Sequence, residues 1–156
     1  MNDYYLLIGL NSKEVKIKEI NQKNKGLIEI HIENKKQKVR CPVCNKFTSS
    51  VHDRLKPIKS NYLDSCGTNV NLIIYKKRYH CYNCNKIFAE ELNINTSKGN
   101  ISNKVKIQIR KELLNYNLSL KYIAEKNRVS ITSVENEMLN IISSIPKHVI
   151  NLPRVI

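Results

Sequence analysis

Two Cys-x-x-Cys pairs, at positions 41–44 and 81–84, constrain the fold of this chain more than any other feature. Each pair places two thiolates on one tight turn, and two such pairs supply the four sulfur ligands of a tetrahedral structural zinc site. A site with four thiolates has no open coordination position, so we expect it to contribute folding energy and no catalysis. The predicted cofactor is one structural Zn²⁺ ion, and its predicted ligands are Cys41, Cys44, Cys81 and Cys84.

The residues around the two pairs favour this interpretation over a redox role. Each pair is followed by Asn-Lys, and Asn45 and Asn85 tolerate the positive φ that such a turn needs. A redox pair would instead be a single Cys-x-x-Cys at a helix N-terminus beside a βαβ pattern. His52 and His80 could replace a thiolate but are expected to be ordinary strand side chains, and Cys66 has no partner at ligand spacing.

The formal net charge of +14 indicates an anionic partner. Nucleic acid is the first candidate and an anionic membrane surface is the second. No hydrophobic stretch is long enough to span a bilayer, and the apolar run at 4–8 lacks the basic leader of a signal peptide. We therefore expect a cytoplasmic protein, in a compartment that keeps thiols reduced. The chain has no Gly-rich phosphate loop, GxSxG or HExxH motif, so neither an enzyme nor a small-molecule substrate is expected.

Residues 1–95 are predicted to form a β-rich domain, an expanded zinc ribbon with little apolar core of its own. Alternating apolar residues predict a β-hairpin over 13–40, with its turn at 21–26. Three further strands are predicted, at 49–54, 70–79 and 87–92.

The hydrophobic period becomes helical after a predicted linker at 93–100. The first helix is indicated by apolar residues at every fourth position: Ile101, Val105, Ile109 and Leu113. A second helix is predicted at 119–126, and a third at 131–144 that Ser130 caps and Pro146 ends. The predicted fold class is therefore α+β, an N-terminal β-rich expanded zinc ribbon followed by a small three-helix helix-turn-helix unit at 101–146.

Residues 119–142 have the pattern of a helix-turn-helix. The small Ala124 lets two helices cross closely, Val129 fills the corner, and Ser130 begins the helix that would enter a major groove. The alternative is a helical hairpin that packs against the ribbon. Two features favour this alternative. The turn has Arg128 where Gly is usual, although Asn127 beside it can adopt the left-handed conformation. The presumed reading helix also carries negative charge, at Glu135 and Glu137.

Four clusters of basic residues are spread over both halves of the chain. One charged run is usually only a solvated face, but four clusters interleaved with Tyr62, Tyr75 and Tyr79 are typical of groups that contact a nucleic-acid backbone. The clusters are Lys35, Lys36, Lys38 and Arg40; Arg54, Lys56 and Lys59; Lys76, Lys77 and Arg78; and Lys104, Lys106, Arg110 and Lys111. The predicted DNA contacts are Lys76, Lys77, Arg78, Lys104 and Arg110, together with Ser130, Thr132, Ser133 and Asn136 at the third helix.

Several stretches resemble the N-terminal zinc-finger region of insertion-sequence transposases of the ISL-three family. The stretches are Cys41-Pro42-Val43-Cys44, Ser50-Val51-His52-Asp53, Lys76-Lys77-Arg78-Tyr79-His80-Cys81 and Phe88-Ala89-Glu90. The helical part is similar to the helix-turn-helix of that family, and Leu152-Pro153-Arg154-Val155-Ile156 is similar to the segment that leads into its catalytic domain. The resemblance covers essentially the whole chain.

The resemblance implies a module that recognises the terminal inverted repeats of a mobile element in double-stranded DNA. The four cysteines would be its zinc ligands, the helix beginning near Ser130 would read bases, and residues 147–156 would be a tail leading towards the catalytic domain. The acidic catalytic triad of the family would lie beyond Ile156, so we expect a nucleoid-associated binding module, able to form a homodimer, that does not cut or join DNA alone. The alternatives are a zinc ribbon that binds protein or RNA, with the helices as a dimerisation hairpin.

Overall fold

The computed structural model describes residues 5, 8–24, 26–65, 67–92, 94 and 100–145. The chain divides into two compact units, Met1–Lys104 and Val105–Ile156. The strands in the described residues are β1 (Val15–Asn24), β2 (Leu27–Asn34), β3 (Val39–Arg40), β4 (Phe47–Thr48), β5 (Val51–Arg54), β6 (Ile58–Ser65), β7 (Thr68–Tyr75), β8 (Lys77–Cys81) and β9 (Lys86–Ala89). The helices are α1 (Asn103–Leu113), α2 (Leu120–Asn127) and α3 (Ile131–Ser144). A strand-rich N-terminal region followed by three helices confirms the predicted α+β class.

The first unit contains a four-stranded sheet with the order β1-β2-β7-β6, and we call it the central sheet. Strands β1 and β2 form the predicted antiparallel hairpin, which turns at Gly26 with a φ of +99°. Strands β2 and β7 run parallel, and this pairing sets Ile30 opposite Leu72 and Ile32 opposite Ile74. Alternation on two parallel strands thus puts two apolar rows side by side on one face.

These apolar rows form a hydrophobic core, and the prediction of little apolar core in residues 1–95 is therefore wrong. The nine buried members of this core are Leu10, Val15, Ile30, Ile32, Tyr62, Val70, Leu72, Ile74 and Leu92. They come from segments that are far apart in the sequence, and the parallel pairing that gathers them leaves no local signal.

The cysteine pairs lie in a second set of strands, which we call the ribbon and define as residues 39–54 and 77–89. It consists of the two-stranded sheet β3-β4 and the three-stranded sheet β5-β8-β9. The strand predicted at 70–79 is in fact two strands, β7 in the central sheet and β8 in the ribbon. Tyr79 is buried in the ribbon, and its ring centroid lies 6.3 Å from that of Phe88.

The second unit is helical, and its buried apolar residues are among those that the helical period predicts. Val105 and Ile109 of α1, Ile123 and Ala124 of α2 and Val134 of α3 are all buried. The predicted cap at Ser130 is confirmed, since its Oγ accepts a hydrogen bond from the Ser133 amide at 3.2 Å. Ser119, predicted as the first residue of the second helix, instead caps α2, and its Oγ accepts a hydrogen bond from the Tyr122 amide at 3.1 Å. Ile101 forms a β-bridge with Asn61, so the first helix begins at Asn103.

The turn between α2 and α3 takes the left-handed conformation at an unexpected residue. Arg128 itself has a φ of 54° and a ψ of 46°, whereas Asn127 is the last residue of α2. Asn127 is held in the helix because its Nδ2 donates to the Ile123 carbonyl at 2.9 Å and to the Glu112 carboxylate at 2.6 Å. The left-handed conformation of a non-glycine residue costs about 1–2 kcal/mol, which the surrounding contacts must offset.

Four predicted features lie wholly or partly outside the described residues. They are the linker at 93–100, the helix stop at Pro146, the tail at 147–156 and Cys66.

Candidate metal centre and nucleic-acid interface

Each cysteine pair occupies a turn that closes a β-hairpin of the ribbon. In the first turn the Cys41 amide donates to the Lys46 carbonyl at 2.9 Å, and the Asn45 amide donates to the Cys41 carbonyl at 3.0 Å. In the second turn Cys81 ends β8 and Lys86 begins β9. Asn45 and Asn85 adopt φ angles of 58° and 54°, which confirms the predicted role of asparagine in these turns.

The two turns face each other and bring four sulfur atoms together. The Cys41 Sγ lies 3.6 Å from the Cys84 Sγ, and the Cys44 Sγ lies 3.5 Å from the Cys81 Sγ. All four Sγ atoms lie within 4.8 Å of one another. Zinc bound tetrahedrally at about 2.3 Å from each sulfur requires sulfur–sulfur distances of about 3.8 Å. The four cysteines therefore fit a zinc ion in both chemistry and size.

Contacts between the two turns hold them in this arrangement. The Lys46 Nζ of the first turn donates to the Asn83 Oδ1 of the second at 2.8 Å. The Thr48 Oγ1 donates to the His80 carbonyl at 2.7 Å. The His80 ring points to Asn85, with 2.7 Å between Nε2 and Oδ1, and His80 is not part of the sulfur cluster. His52 lies exposed on β5. Among the described residues the candidate ligand set is thus the four cysteines, as predicted.

The backbone of each turn changes the acidity of the thiols. The Lys46 amide lowers the pKa of Cys44 to about 6, and the Cys44 amide lowers the pKa of Cys41. Burial, together with the neighbouring thiols, raises the pKa of Cys84 to about 12. Four thiolates cannot all be charged at such close range without a cation. A divalent ion would replace the protons, which is how metal binding and thiol ionisation are coupled.

Two cysteine turns on facing β-hairpins, with four sulfurs placed around one point, define a zinc ribbon. Residues 37–84 match the family described as the zinc-finger of transposase IS204/IS1001/IS1096/IS1165. The match includes all four cysteines, so the chain carries a transposase-type zinc ribbon and the resemblance in this segment is confirmed. The three helices lie outside the matched segment. No curated protein and no solved structure matches the chain.

Some of the basic residues predicted to contact DNA already form hydrogen bonds or ion pairs within the first unit, and others do not. The Arg78 Nε donates to the Asp53 Oδ1 at 2.7 Å, and its Nη2 donates to the second oxygen of the same carboxylate. This pair lowers the pKa of Asp53. The Lys104 Nζ donates to the Gly9 carbonyl and lies 5.5 Å from the centroid of the Tyr62 ring. By contrast, neither Lys76 nor Lys77 forms a side-chain ion pair within the described residues.

In the second unit, two buried glutamates bind several of the basic side chains. Glu137 of α3 accepts a hydrogen bond from the Arg110 Nε at 2.6 Å and lies 3.9 Å from the Lys106 Nζ. Glu112 of α1 accepts from the Lys126 Nζ at 2.7 Å. Glu137 therefore faces α1 and its charge is neutralised, whereas Glu135, the other glutamate that counted against a reading helix, is exposed on α3.

The four side chains predicted to enter a groove fall into two groups. Ser130 and Ser133 are part of the helix cap, and their Oγ atoms lie 2.8 Å apart. Thr132 and Asn136 are exposed on α3, as is Glu135. Thr132 and Asn136 are thus the predicted groove residues that are exposed and lie outside the cap.

The acidic partners could not be recognised in the sequence. Arg78 and Asp53 are 25 residues apart, and Arg110 and Glu137 are 27 residues apart. Only the fold brings such residues together.

No helix in the described part of the chain has both the length and the apolar character that crossing a membrane requires.

Proposed function

We propose that this chain is a zinc-dependent DNA-binding module of a transposase that recognises the terminal inverted repeats of an insertion sequence. The observation that carries the proposal is the match of residues 37–84 to a transposase zinc-finger, with all four candidate ligands inside the matched segment. The net charge of +14 supports an anionic partner. Three parts divide the work: zinc stabilises the ribbon, basic side chains contact phosphates, and α3 reads bases.

The helical unit supports the reading role because it has the proportions of a helix-turn-helix. The eight-residue helix α2 and the fourteen-residue helix α3 are separated by the turn at 128–130. Ala124 is buried, and the Val129 amide donates to the Ala124 carbonyl at 3.0 Å. Such a turn presents the N-terminal half of the second helix to a major groove.

The exposed side chains of α3 have the chemistry of base contacts. Asn136 can pair with adenine through two hydrogen bonds, and the Thr132 methyl and hydroxyl can contact either a thymine methyl or a base edge. Glu135 can accept a hydrogen bond from the amino group of cytosine. We propose these three residues as the base contacts of α3. Ser130 and Ser133 would place the N-terminus of the helix near a phosphate.

Phosphate contacts are proposed for basic side chains that the fold leaves available. Lys76 and Lys77 are the first choice in the ribbon region, since Arg78 is held by Asp53. Arg110 and Lys104 have contacts within the chain, so they would contribute less to affinity than their charge suggests. Neutralised cations release fewer counterions when the protein binds.

Zinc would be held by Cys41, Cys44, Cys81 and Cys84 as a single ion. When bound, it neutralises thiolate charge and crosslinks the two turns, which keeps the ribbon folded.

We extend the proposal to a homodimer, since one copy of the chain can occupy each of two related half-sites. The C-terminal half of α3 exposes Leu139 and Ile142, and Ile145, the residue after the helix, is exposed as well. A second copy could cover these apolar side chains. Sedimentation equilibrium should show a dimer that Ile142→Ser weakens, and a strictly monomeric protein at all concentrations would remove this extension.

The test compares three variants on duplexes recovered from a random library, with fluorescence anisotropy as the readout. Replacing Thr132 and Asn136 together by alanine should abolish the preference for the selected motif and retain weak binding to all duplexes. Replacing Lys76 and Lys77 should weaken binding to every duplex alike. Tyr116→Ala, at a fully exposed side chain outside α2 and α3, is the matched control and should change neither. A preference that survives the Thr132 and Asn136 replacement would show that α3 does not read the site.

A further inference from the structure

The first unit contains a cleft beside the first cysteine turn, whose residues Cys41, Pro42 and Asn45 form part of its lining. It has a volume of about 360 Å³ and lies between the end of β2 and the first cysteine turn. We call it the ribbon cleft and define it by six lining residues: Asn34, Lys36, Lys38, Arg40, Phe47 and Glu90. Its volume is within the range of small-molecule pockets, about 300–1,000 Å³, and so is large enough for a single nucleotide.

Three lining residues of the ribbon cleft are cationic, and two, Glu90 and Glu91, are acidic. Lys36, Lys38 and Arg40 are all exposed, and none of them forms an ion pair within the described residues. Other cations of the same unit are neutralised, for example Lys59, whose Nζ lies 2.8 Å from the Glu29 Oε1. Three adjacent positive charges with no acidic partner provide a site for a phosphate.

An aromatic ring adjoins these cations. Phe47 is 64% exposed, which is unusual for a phenylalanine on a strand. It pairs with Arg40 across β3 and β4, and the Arg40 guanidinium lies 4.9 Å from the centroid of its ring. An exposed phenyl ring beside a guanidinium plane offers two flat surfaces on which an unstacked base can lie.

A buried carboxyl group completes the lining. Glu90 is 2% exposed, and its Oε1 accepts a hydrogen bond from the Lys77 amide at 2.8 Å. Its Oε2 is buried and makes no hydrogen bond to any described residue. Buried polar atoms without a partner are rare in folded proteins, and in a cleft wall such an atom is available to a ligand. The amino groups of cytosine, adenine and guanine are donors of the required kind.

We propose that the ribbon cleft binds one unstacked nucleotide of a single-stranded nucleic acid. Lys36, Lys38 and Arg40 hold its phosphate, Phe47 and Arg40 stack on its base, and the Glu90 Oε2 accepts a hydrogen bond from the amino group of the base. This site lies between the end of β2 and the first cysteine turn, and it is additional to the duplex contacts proposed for α3.

The test measures binding of the zinc-loaded full chain to labelled hexanucleotides by fluorescence anisotropy. Oligomers of dC and dT compare a base that has an amino group with one that lacks it, and the matching RNA oligomers distinguish DNA from RNA as the source of the strand. We expect measurable binding to dC hexamers at near-physiological salt and weaker binding to dT hexamers. Absence of binding to every hexamer would overturn the proposal.

Phe47→Ala is the main variant, because an exposed side chain can be removed without unfolding the ribbon. Loss of base stacking should weaken hexamer binding by about 5- to 150-fold. Tyr82→Ala is the matched control, since Tyr82 is 79% exposed on the second cysteine turn and does not line the cleft. Equal losses in the two variants would contradict the assignment to the ribbon cleft.

Two further comparisons test the roles of the charged residues. Lys38→Ala should weaken hexamer binding and flatten its salt dependence, while Lys86→Ala, at an exposed cation outside the cleft, should have a smaller effect. Glu90→Gln keeps an acceptor for the Lys77 amide and should reduce the preference for dC over dT, provided that the circular dichroism and zinc content are unchanged. An unchanged preference in this folded variant would exclude Glu90 as the base contact.

The same variants separate this proposal from the proposed duplex-reading function. Phe47→Ala should leave binding to the selected duplex motif unchanged, and the Thr132 and Asn136 replacement should leave hexamer binding unchanged. If Phe47→Ala instead impairs only the binding of a protein partner, the ribbon cleft is a peptide site and the nucleotide assignment is wrong.

Discussion

Removal of zinc should unfold the ribbon and leave the central sheet folded. Among the described residues of the ribbon, Tyr79 is the one buried apolar side chain besides the cysteines. The core of the central sheet has nine buried side chains, which together contribute about 14–27 kcal/mol of hydrophobic stabilisation. One buried tyrosine contributes about 1.5–3 kcal/mol, far less than the chain entropy lost on ordering the ribbon.

The zinc ion supplies what the ribbon lacks. Structural zinc in small domains contributes about 10–16 kcal/mol of apparent binding free energy near neutral pH. This is comparable to the total stability of a typical domain, about 5–15 kcal/mol, so the ribbon should not stay folded without the ion. None of the nine core residues of the central sheet is a zinc ligand, and the sheet should therefore keep its structure.

Hydrogen exchange measured amide by amide shows whether loss of zinc unfolds the ribbon alone or the ribbon and the central sheet together. After chelation, or in Cys81→Ser, the ribbon amides of Cys41 and His80 should exchange freely. The central-sheet amides of Ile30 and Leu72 should stay protected. Cys66→Ser retains all four candidate ligands and serves as the control. Simultaneous loss of protection at all four amides would show that the two parts fold as one unit, and it would refute the reasoning.

Three further predictions concern protons, packing and charge. Zinc uptake near neutral pH should release protons, because Cys84, with a pKa of about 12, is still protonated at that pH. Cys44, with a pKa of about 6, is already a thiolate. Calorimetry in buffers of different ionisation enthalpy would reveal the proton release, and buffer-independent heats would contradict it. Burial raises the pKa of Glu112, but hydrogen bonds from Lys126, Gln108 and Asn127 outweigh burial and lower it overall. Its ionised form therefore stabilises the helical unit above the unfolded pKa of about 4.3, and this contribution is lost as the pH falls. Glu112→Gln should accordingly cost about 1–3 kcal/mol at neutral pH and less in acid, measured by urea unfolding followed by circular dichroism; equal costs at both pH values would show that the charge is not responsible. Lys76→Ala should lower the slope of log affinity for DNA against log salt concentration by about 0.9. Arg78→Ala should change this slope less, because Asp53 already neutralises Arg78. A larger change for Arg78→Ala than for Lys76→Ala would contradict the proposed phosphate contact of Lys76.

Local sequence signals predicted the candidate metal centre and the helix boundaries. The spacing within each cysteine pair, the following asparagines and the serine caps all act within a few residues of one another. Their physical effect is therefore visible in the sequence, and Asn45, Asn85 and Ser130 all adopt the roles expected of them.

Features that depend on distant residues could not be predicted. Strand β6 carries Ser60 and Asn61 in its centre, so it lacks an alternating apolar pattern, and only its pairing with β7 makes it a strand. Arg78 appeared in the sequence as a free cation, but Asp53 lies opposite it in the three-stranded sheet. The left-handed turn falls on Arg128 because Glu112, from another helix, holds Asn127. In each case a tertiary contact overrides the local preference.

A selection of the zinc-loaded protein against a random duplex library, at near-physiological salt, tests the central claim most directly. The claim is that this transposase-type zinc ribbon and its helices form a sequence-specific DNA reader. We expect a discrete motif to be enriched with the zinc-loaded protein and to disappear when Thr132 and Asn136 are replaced. Recovery of no motif, with tight binding only at low salt, would contradict the claim and leave a basic zinc-binding protein without sequence specificity for duplex DNA.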